Sequence, residues 1–313
     1  MGNRSDILLD GRKMSLKITV EDYEEYPHDY PSRLDWKESW YFTYMDAKNK
    51  VCGVFYISTY PKNGRTDYLT TYLVDGKIDG YMNSTDVSGK LREITDGTLT
   101  FELVKPNKRW NVFLESDKVS MDFKFYGRFP PFRFDPEKAY VKDILEQEHY
   151  EQSCKVSGTI EFPDGTSIDV DCYGHRDHSW GLRDYSQITK WDWMQAQFDD
   201  YAMNIIKLTI GKKTEISGFI SNIEGNLEII DTRIETEYEE DEKTPKASTY
   251  LAIDANESSR TIYSKKVYGI VYPPRQFKEG IRTDIYENFS EFEVKGEKGK
   301  GYGISEYLVT VKV

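Results

Sequence analysis

Apolar and polar residues alternate with period two along most of this chain, and helical periodicity is scarce. Residues 37–44 (Lys-Glu-Ser-Trp-Tyr-Phe-Thr-Tyr), 51–60, 67–74, 98–104 and 110–116 read as strands, rich in the Tyr, Val, Ile, Thr and Trp that suit a pleated, half-buried surface. Turn signals punctuate them at Pro61-Lys-Asn-Gly64, Asp75-Gly76, Asp96-Gly97 and Pro106-Asn107. The style continues through 153–162, 166–173, 190–198, 203–210, 214–221, 226–235, 248–254, 261–268, 289–295 and 304–313. The pattern predicts a mostly antiparallel, all-β protein.

One short helix is expected from Asp135-Pro136 to Leu145, with Asp as N-cap, Pro at the first helical position and Glu137 near the positive helix end. The preceding Arg128-Phe-Pro-Pro-Phe132 cannot be a central strand. These features set the expected organisation: one β-barrel over 1–134, a linker with the short helix over 135–150, and a second barrel over 151–313. A repeated pair points the same way. Trp40 and Asp46, after an aromatic strand, are matched by Trp193 and Asp199 at a constant offset of 153 residues, a size that suits one small barrel.

Composition narrows the function. With 38% hydrophobic residues, 15 Phe, 24 Tyr and 6 Trp, the 313-residue chain is globular. A net charge of −12 repels phosphate backbones and anionic membrane surfaces, so no nucleic-acid partner is expected. No apolar run approaches the roughly 18 residues of a membrane span. Residues 1–14 lack a signal-peptide core, and Asp6 stands where the myristoylation motif after Met1-Gly2 wants Ser or Thr. The sequons at Asn83, Asn256 and Asn288 then read as chance. Three cysteines, Cys52, Cys154 and Cys172, are the sparse, odd set of a reduced compartment, and a cytoplasmic protein is expected. The six carboxylates within 235–242 read as a solvated hairpin tip.

Candidate chemistry concentrates in Tyr173-Gly-His-Arg-Asp-His-Ser-Trp-Gly-Leu-Arg-Asp184, which holds two of the four histidines, His175 and His178, the others being His28 and His149. A metal site from His175, His178 and Asp177 is disfavoured, because a strand points those two imidazoles to opposite faces; no metal is expected. A triad through Ser179 fails likewise, since adjacent side chains diverge and no nucleophile elbow exists. General acid–base work by His178 or a carboxylate such as Asp177 in an aromatic pocket is a reading that remains, beside a bracing Arg-Asp-His network with Trp180 as core. In Trp191-Asp-Trp-Met-Gln-Ala-Gln-Phe-Asp199, one face carries Trp191, Trp193, Gln195 and Gln197, a poor dry core but a reasonable cavity wall for a large apolar ligand with a few polar anchors.

Gly174-His-Arg-Asp-His-Ser-Trp-Gly-Leu-Arg183, Trp191-x-Trp193, the closing Gly301-Tyr-Gly-Ile-Ser-Glu-Tyr307 and the early Glu38-Ser-Trp-Tyr-Phe42 together resemble the AttH-like superfamily. That group includes the carotenoid 1,2-hydratases, the yeast survival-factor proteins and, by fold, fungal decalin-forming Diels–Alderases. The resemblance, from about Trp36 to Val313, implies two consecutive lipocalin-like barrels. It also implies an active-site role for His178 and Trp180, where an isoprenoid double bond is protonated without a cofactor and aromatic rings stabilise the carbocation. The hydratases' acidic residue lies on the strand after the double-Trp strand; here that strand reads Met203-Asn-Ile-Ile-Lys-Leu208, so Asp177, Asp192 or Asp199 would have to substitute.

The expected function is therefore a cofactor-free hydratase, isomerase or cyclase acting on a large isoprenoid or polyene. His178, Asp177 and Trp180 are the catalytic candidates. Arg176, Trp191, Trp193, Gln195, Gln197, Tyr173 and Trp40 are the substrate-binding candidates. A non-catalytic lipid or isoprenoid carrier and a sugar-binding β-sandwich are the competing classes. Either a monomer or a homodimer fits the pattern.

Overall fold

The computed structural model describes residues 7–9, 12–14, 19–29, 36–86, 94–135, 147–182, 185–272 and 275–312. It divides into two compact units, Thr19–Arg183 and Asp184–Val313 with Met1–Ile18.

The first unit is one antiparallel sheet. Its strands run, side by side, Lys77–Asp86, Arg65–Val74, Val51–Tyr60, Trp36–Asp46, Ser167–Leu182, Gln147–Glu161, Ser120–Gly127, Arg109–Glu115, Leu99–Lys105 and Ile94–Thr95, with Phe132–Arg133 added along Gln147–Glu161. The sheet curls until its edges meet: Tyr81 Oη and Asn83 Nδ2, on one edge strand, donate to Asp96 beside the other. Side chains of one phase of each strand meet inside, among them Trp40, Phe42, Tyr44, Phe55, Trp110, Phe123 and Phe125. Phe42 contacts Phe101 and Phe125 edge-to-face, both with ring centres 5.0 Å apart, a geometry that adds to area burial.

The second unit closes. Ser259–Val271, Pro245–Asp254, Gly225–Tyr238, Lys213–Asn222, Ala202–Ile210, Lys190–Gln197, Gly301–Lys312 and Ile281–Val294 form a ring, the last strand pairing back onto the first. Closure leaves no unpaired edge among these eight. Bulges between Ile229 and Asp231 and between Lys266 and Tyr268 help to bend it. Met194, Ala196, Met203, Ile205, Ile229, Tyr250 and Phe292 fill its core.

The all-β, two-barrel expectation is met, and among the described residues no helix is long and apolar enough to cross a membrane. The expected boundary at 135–150 differs from the observed one. The long strands Gln147–Glu161 and Ser167–Leu182 lie in the middle of the first sheet, so the units divide after Arg183. Alternation gives a strand its faces but does not say which sheet it joins. The helix expected over 136–145 falls outside the described residues. Trp40 and Trp193 are not equivalent positions: Trp40 is in its unit's core, whereas Trp193 is in the phase opposite Met194 and Ala196. Gly174 is required by a close approach rather than a turn, since a Cβ there would lie 2.3 Å from the Thr43 carbonyl oxygen.

Candidate functional site

The three central strands of the first unit carry the site. In register, Trp40 faces His178, which faces Tyr150; Phe42 faces Arg176, which faces Gln152; and Glu38 faces Trp180. These positions continue the inward phase of the aromatic core, so one face passes from hydrocarbon to charge along the same strands. Along Ser167–Leu182 the inward residues read Val170, Cys172, Gly174, Arg176, His178 and Trp180. The period of two thus delivers His178 and Trp180 together and turns Asp177 away.

His178 is completely buried. Its Nε2 lies 2.9 Å from Glu38 Oε1 and its Nδ1 lies 3.1 Å from Tyr150 Oη. Trp40 stacks on its ring at 4.6 Å between centres, and Trp180 packs obliquely at 4.9 Å. Glu38 Oε1 is also 2.7 Å from His28 Nδ1, and the His28 backbone amide donates to both Glu38 oxygens. His28 stacks on Trp180 at 4.0 Å and, at 19% exposure, is with Trp180 one of the two members of the group that are not fully buried.

Burial pushes the Glu38 carboxyl up, but the hydrogen bonds and charges of His178 and His28 outweigh it and hold the group below the usual carboxylate range. Burial lowers His178 by more than Glu38 raises it, so the imidazole is neutral. Burial raises the Tyr150 hydroxyl well above the usual phenol range. An ionised Glu38 can only accept, which places the His178 proton on Nε2 and leaves Nδ1 to accept from Tyr150. The result is a directed chain: Tyr150 O–H to His178, His178 N–H to Glu38.

Arg176 braces this chain. Its Nη2 is 2.5 Å from Glu25 Oε1 and its Nη1 3.2 Å from Glu25 Oε2, while Nε and Nη2 donate to Gln152 Oε1 at 3.0 and 2.7 Å. Trp110 Nε1 donates to Glu25 as well, at 2.8 Å. The guanidinium also lies over the Tyr150 ring, 5.4 Å from its centre. Arg176 and Glu25 are 2% and 0% exposed, and the pair anchors the 3₁₀ turn Asp22–Glu25 just ahead of His28. The guanidinium expected to touch substrate is instead engaged within the protein.

The structure thus brings together His178, Trp180, Trp40 and Arg176. Asp177 and Tyr173 lie in the opposite phase; Tyr173 lies beneath the Arg128 guanidinium, 3.6 Å from the ring centre. His175 occupies that phase too, its Nε2 2.7 Å from Glu151 Oε2, with His149 Nε2 3.4 Å from Glu151 Oε1. All four histidines therefore flank two buried glutamates, one group on each face of the sheet. Trp191, Trp193, Gln195 and Gln197 lie in the second unit, on the side of Lys190–Gln197 turned away from that unit's core. There the buried Gln197 amide donates to Gln195 Oε1 at 2.8 Å. Of the substitute acids, Asp199 is exposed, whereas Asp192 points inward and burial raises its carboxyl. Arg183 and Asp184 fall outside the described residues.

His28, Glu38, Tyr150 and Glu25 were not anticipated. Glu38 carried a readable signal, since it falls in the same phase as Trp40, Phe42 and Tyr44, where a carboxylate needs a specific partner. The other three had none.

A sequence family described as "Domain of unknown function (DUF7064)" matches residues 21–310. No curated protein sequence matches. Among solved structures, the Nitrosomonas europaea protein NE1406, described as a candidate AttH, superposes with a TM-score of 0.65 at 12% identity, over 96% of this chain and 98% of that one. CghA with Sch210972 gives 0.63 at 11% identity, over 89% of each chain. Kievitone hydratase from Nectria haematococca gives 0.60 at 10% identity, over 93% of each. The likeness establishes an AttH-like, lipocalin-type fold.

Proposed function

We propose, for a chain that belongs to the DUF7064 family, an enzymatic function: acid–base conversion of a large apolar isoprenoid or polyene at the His178 site. The observation that carries this reading is the completely buried His178, held between Glu38 and the Tyr150 hydroxyl inside a box of aromatic rings. Burying an imidazole, a carboxylate and a phenol costs stability that a plain apolar lining would not. A carrier has no use for that expense.

The chain Tyr150–His178–Glu38 gives the chemistry its direction. His178, held by Glu38, positions the Tyr150 hydroxyl, which gives its proton to a substrate double bond and leaves a cation in the substrate and a phenolate on Tyr150. Loss of a proton from another carbon to that phenolate isomerises or cyclises the substrate, and addition of water, whose proton returns to the phenolate, hydrates it. Positive charge developing in the substrate beside Trp180 and Trp40 gains about 2 kcal/mol or more per face when desolvated. Half-buried Trp180 and His28 mark the side of approach. Kievitone hydratase, with the same fold, is by name a hydratase, which supports the reaction class.

The alternative is a carrier of the same fold. It is favoured by the absence of a carboxylate on Ala202–Ile210, where the resemblance to the hydratases expects one. Solvent extraction of the purified protein with mass spectrometry should nominate the ligand, and incubation with that compound and related polyenes should yield an isomer or a water adduct. Tyr150→Phe and His178→Ala should each slow turnover by ~10²–10⁴-fold. Turnover unchanged in both variants would end the relay reading, and tight binding without conversion would establish the carrier.

A further inference from the structure

The geometry points to a binding site for a divalent transition-metal ion, Zn²⁺ being the probe, formed by His28, Glu38 and His178; an ion there silences the relay by taking the contact between His178 and Glu38. The second clause rests on the function proposed above, and the first does not.

The donor atoms of the three residues lie within 4.8 Å of one another. His28 Nδ1 and His178 Nε2 stand 2.7 and 2.9 Å from Glu38 Oε1. Two ligands at about 2.1 Å from one tetrahedral ion sit about 3.4 Å apart, so each contact has to open by only about 0.5–0.7 Å to become an edge of the coordination shell. Two imidazoles and one carboxylate form a recurring donor set that leaves a position open for water.

Charge points the same way. Glu38 is 2% exposed, and among the described residues its ion-pair partners are the two imidazoles, with no Lys or Arg. A buried carboxylate with no full positive partner is under-compensated, and a dication supplies what is missing. The surroundings also suit the ligands. For Nε2 to turn a lone pair to the ion, the His178 proton moves to Nδ1, where Tyr150 Oη stands 3.1 Å away to accept it, as the outer partner of a metal-bound histidine does. The Tyr150 hydrogen then turns to Glu25, which also interacts with that hydroxyl. His28 Nδ1, which faces the same carboxylate, must give up its hydrogen as well, to Nε2 or to solvent. Trp40 and Trp180 fix the His178 ring, while His28, outside the sheet and partly exposed, is the ligand that can swing to admit an ion. None of this is legible in the spacing, because the three ligands come from a loop and two strands far apart in sequence.

The test uses the full chain, stripped with a chelator and titrated with Zn²⁺ by calorimetry and with Co²⁺ by visible absorption. One equivalent should bind with Kd below about 1 mM, and Co²⁺ should show the intense bands of a low-coordinate nitrogen–oxygen site. His28→Asn, at the least buried ligand, should weaken binding by at least ~10-fold, as should Glu38→Gln, while His149→Ala should leave it unchanged. No saturable binding, or binding indifferent to both ligand variants, overturns the site. Binding with undiminished turnover in the Zn²⁺-loaded protein overturns the regulatory clause. Failure of the relay reading, seen as turnover that survives His178→Ala, leaves the titration result standing.

Discussion

Replacing Arg176 with methionine keeps most of the stem volume but leaves Glu25 buried with its charge uncompensated. Glu25 would retain the Trp110 and Asn107 N–H donors yet lose the guanidinium that meets both of its oxygens. Breaking a buried pair from one side costs about 3–5 kcal/mol, largely as the penalty on the stranded partner. At about 2–4 °C per kcal/mol for a unit the size of Thr19–Arg183, the midpoint should fall by roughly 6–20 °C. Glu25→Gln, which strands the guanidinium instead, should cost a similar amount. The double variant Arg176→Met/Glu25→Gln removes both charges and should be more stable than the sum of the singles predicts, by about 2 kcal/mol or more. Urea unfolding followed by circular dichroism gives all four corners of the cycle. Single-variant losses below about 1 kcal/mol, or additivity within about 0.5 kcal/mol, would refute the assignment of this pair as the brace under the site.

Three further outcomes are expected. Gly174→Ala should destabilise by ~1–3 kcal/mol or more, because its Cβ meets the Thr43 carbonyl and the Val156 side chain with no room to shift; an unchanged urea midpoint would contradict the packing. Asp192 has a folded pKa raised above 3.8 by burial, with Lys190 only partly opposing, so stability present below that value is lost as pH rises through the folded pKa. Asp192→Asn should therefore be more stable than the parent at pH 7, with the gain shrinking towards about pH 4; a gain independent of pH would refute the attribution. Burial raises all three thiols, Cys154 to about 12, so none should react with a thiol reagent at pH 8 until the protein unfolds, and rapid labelling of the native protein would contradict it.

What the sequence determined is what depends on neighbours along the chain. A period of two states that a segment is a strand and sorts its side chains between two faces. The all-β class, most strand positions and the opposite facing of His175 and His178 follow from that alone. So does the conflict of a carboxylate at Glu38 in an aromatic phase, although its resolution does not. What only the tertiary structure decided is which strands are neighbours and which face is inside. Trp36–Asp46 meets Ser167–Leu182 across more than a hundred residues, and that pairing alone brings Glu38 to His178. It also turns Arg176 inward onto Glu25, and it carries the domain boundary past Leu182. Trp191 and Trp193 show the same limit from the other side: their shared face was plain, but its being the side turned away from the ring's core was not. Alternation is unchanged when a strand is turned over, so the choice between inside and outside belongs to the whole set of pairings and to the apolar surface they bury together.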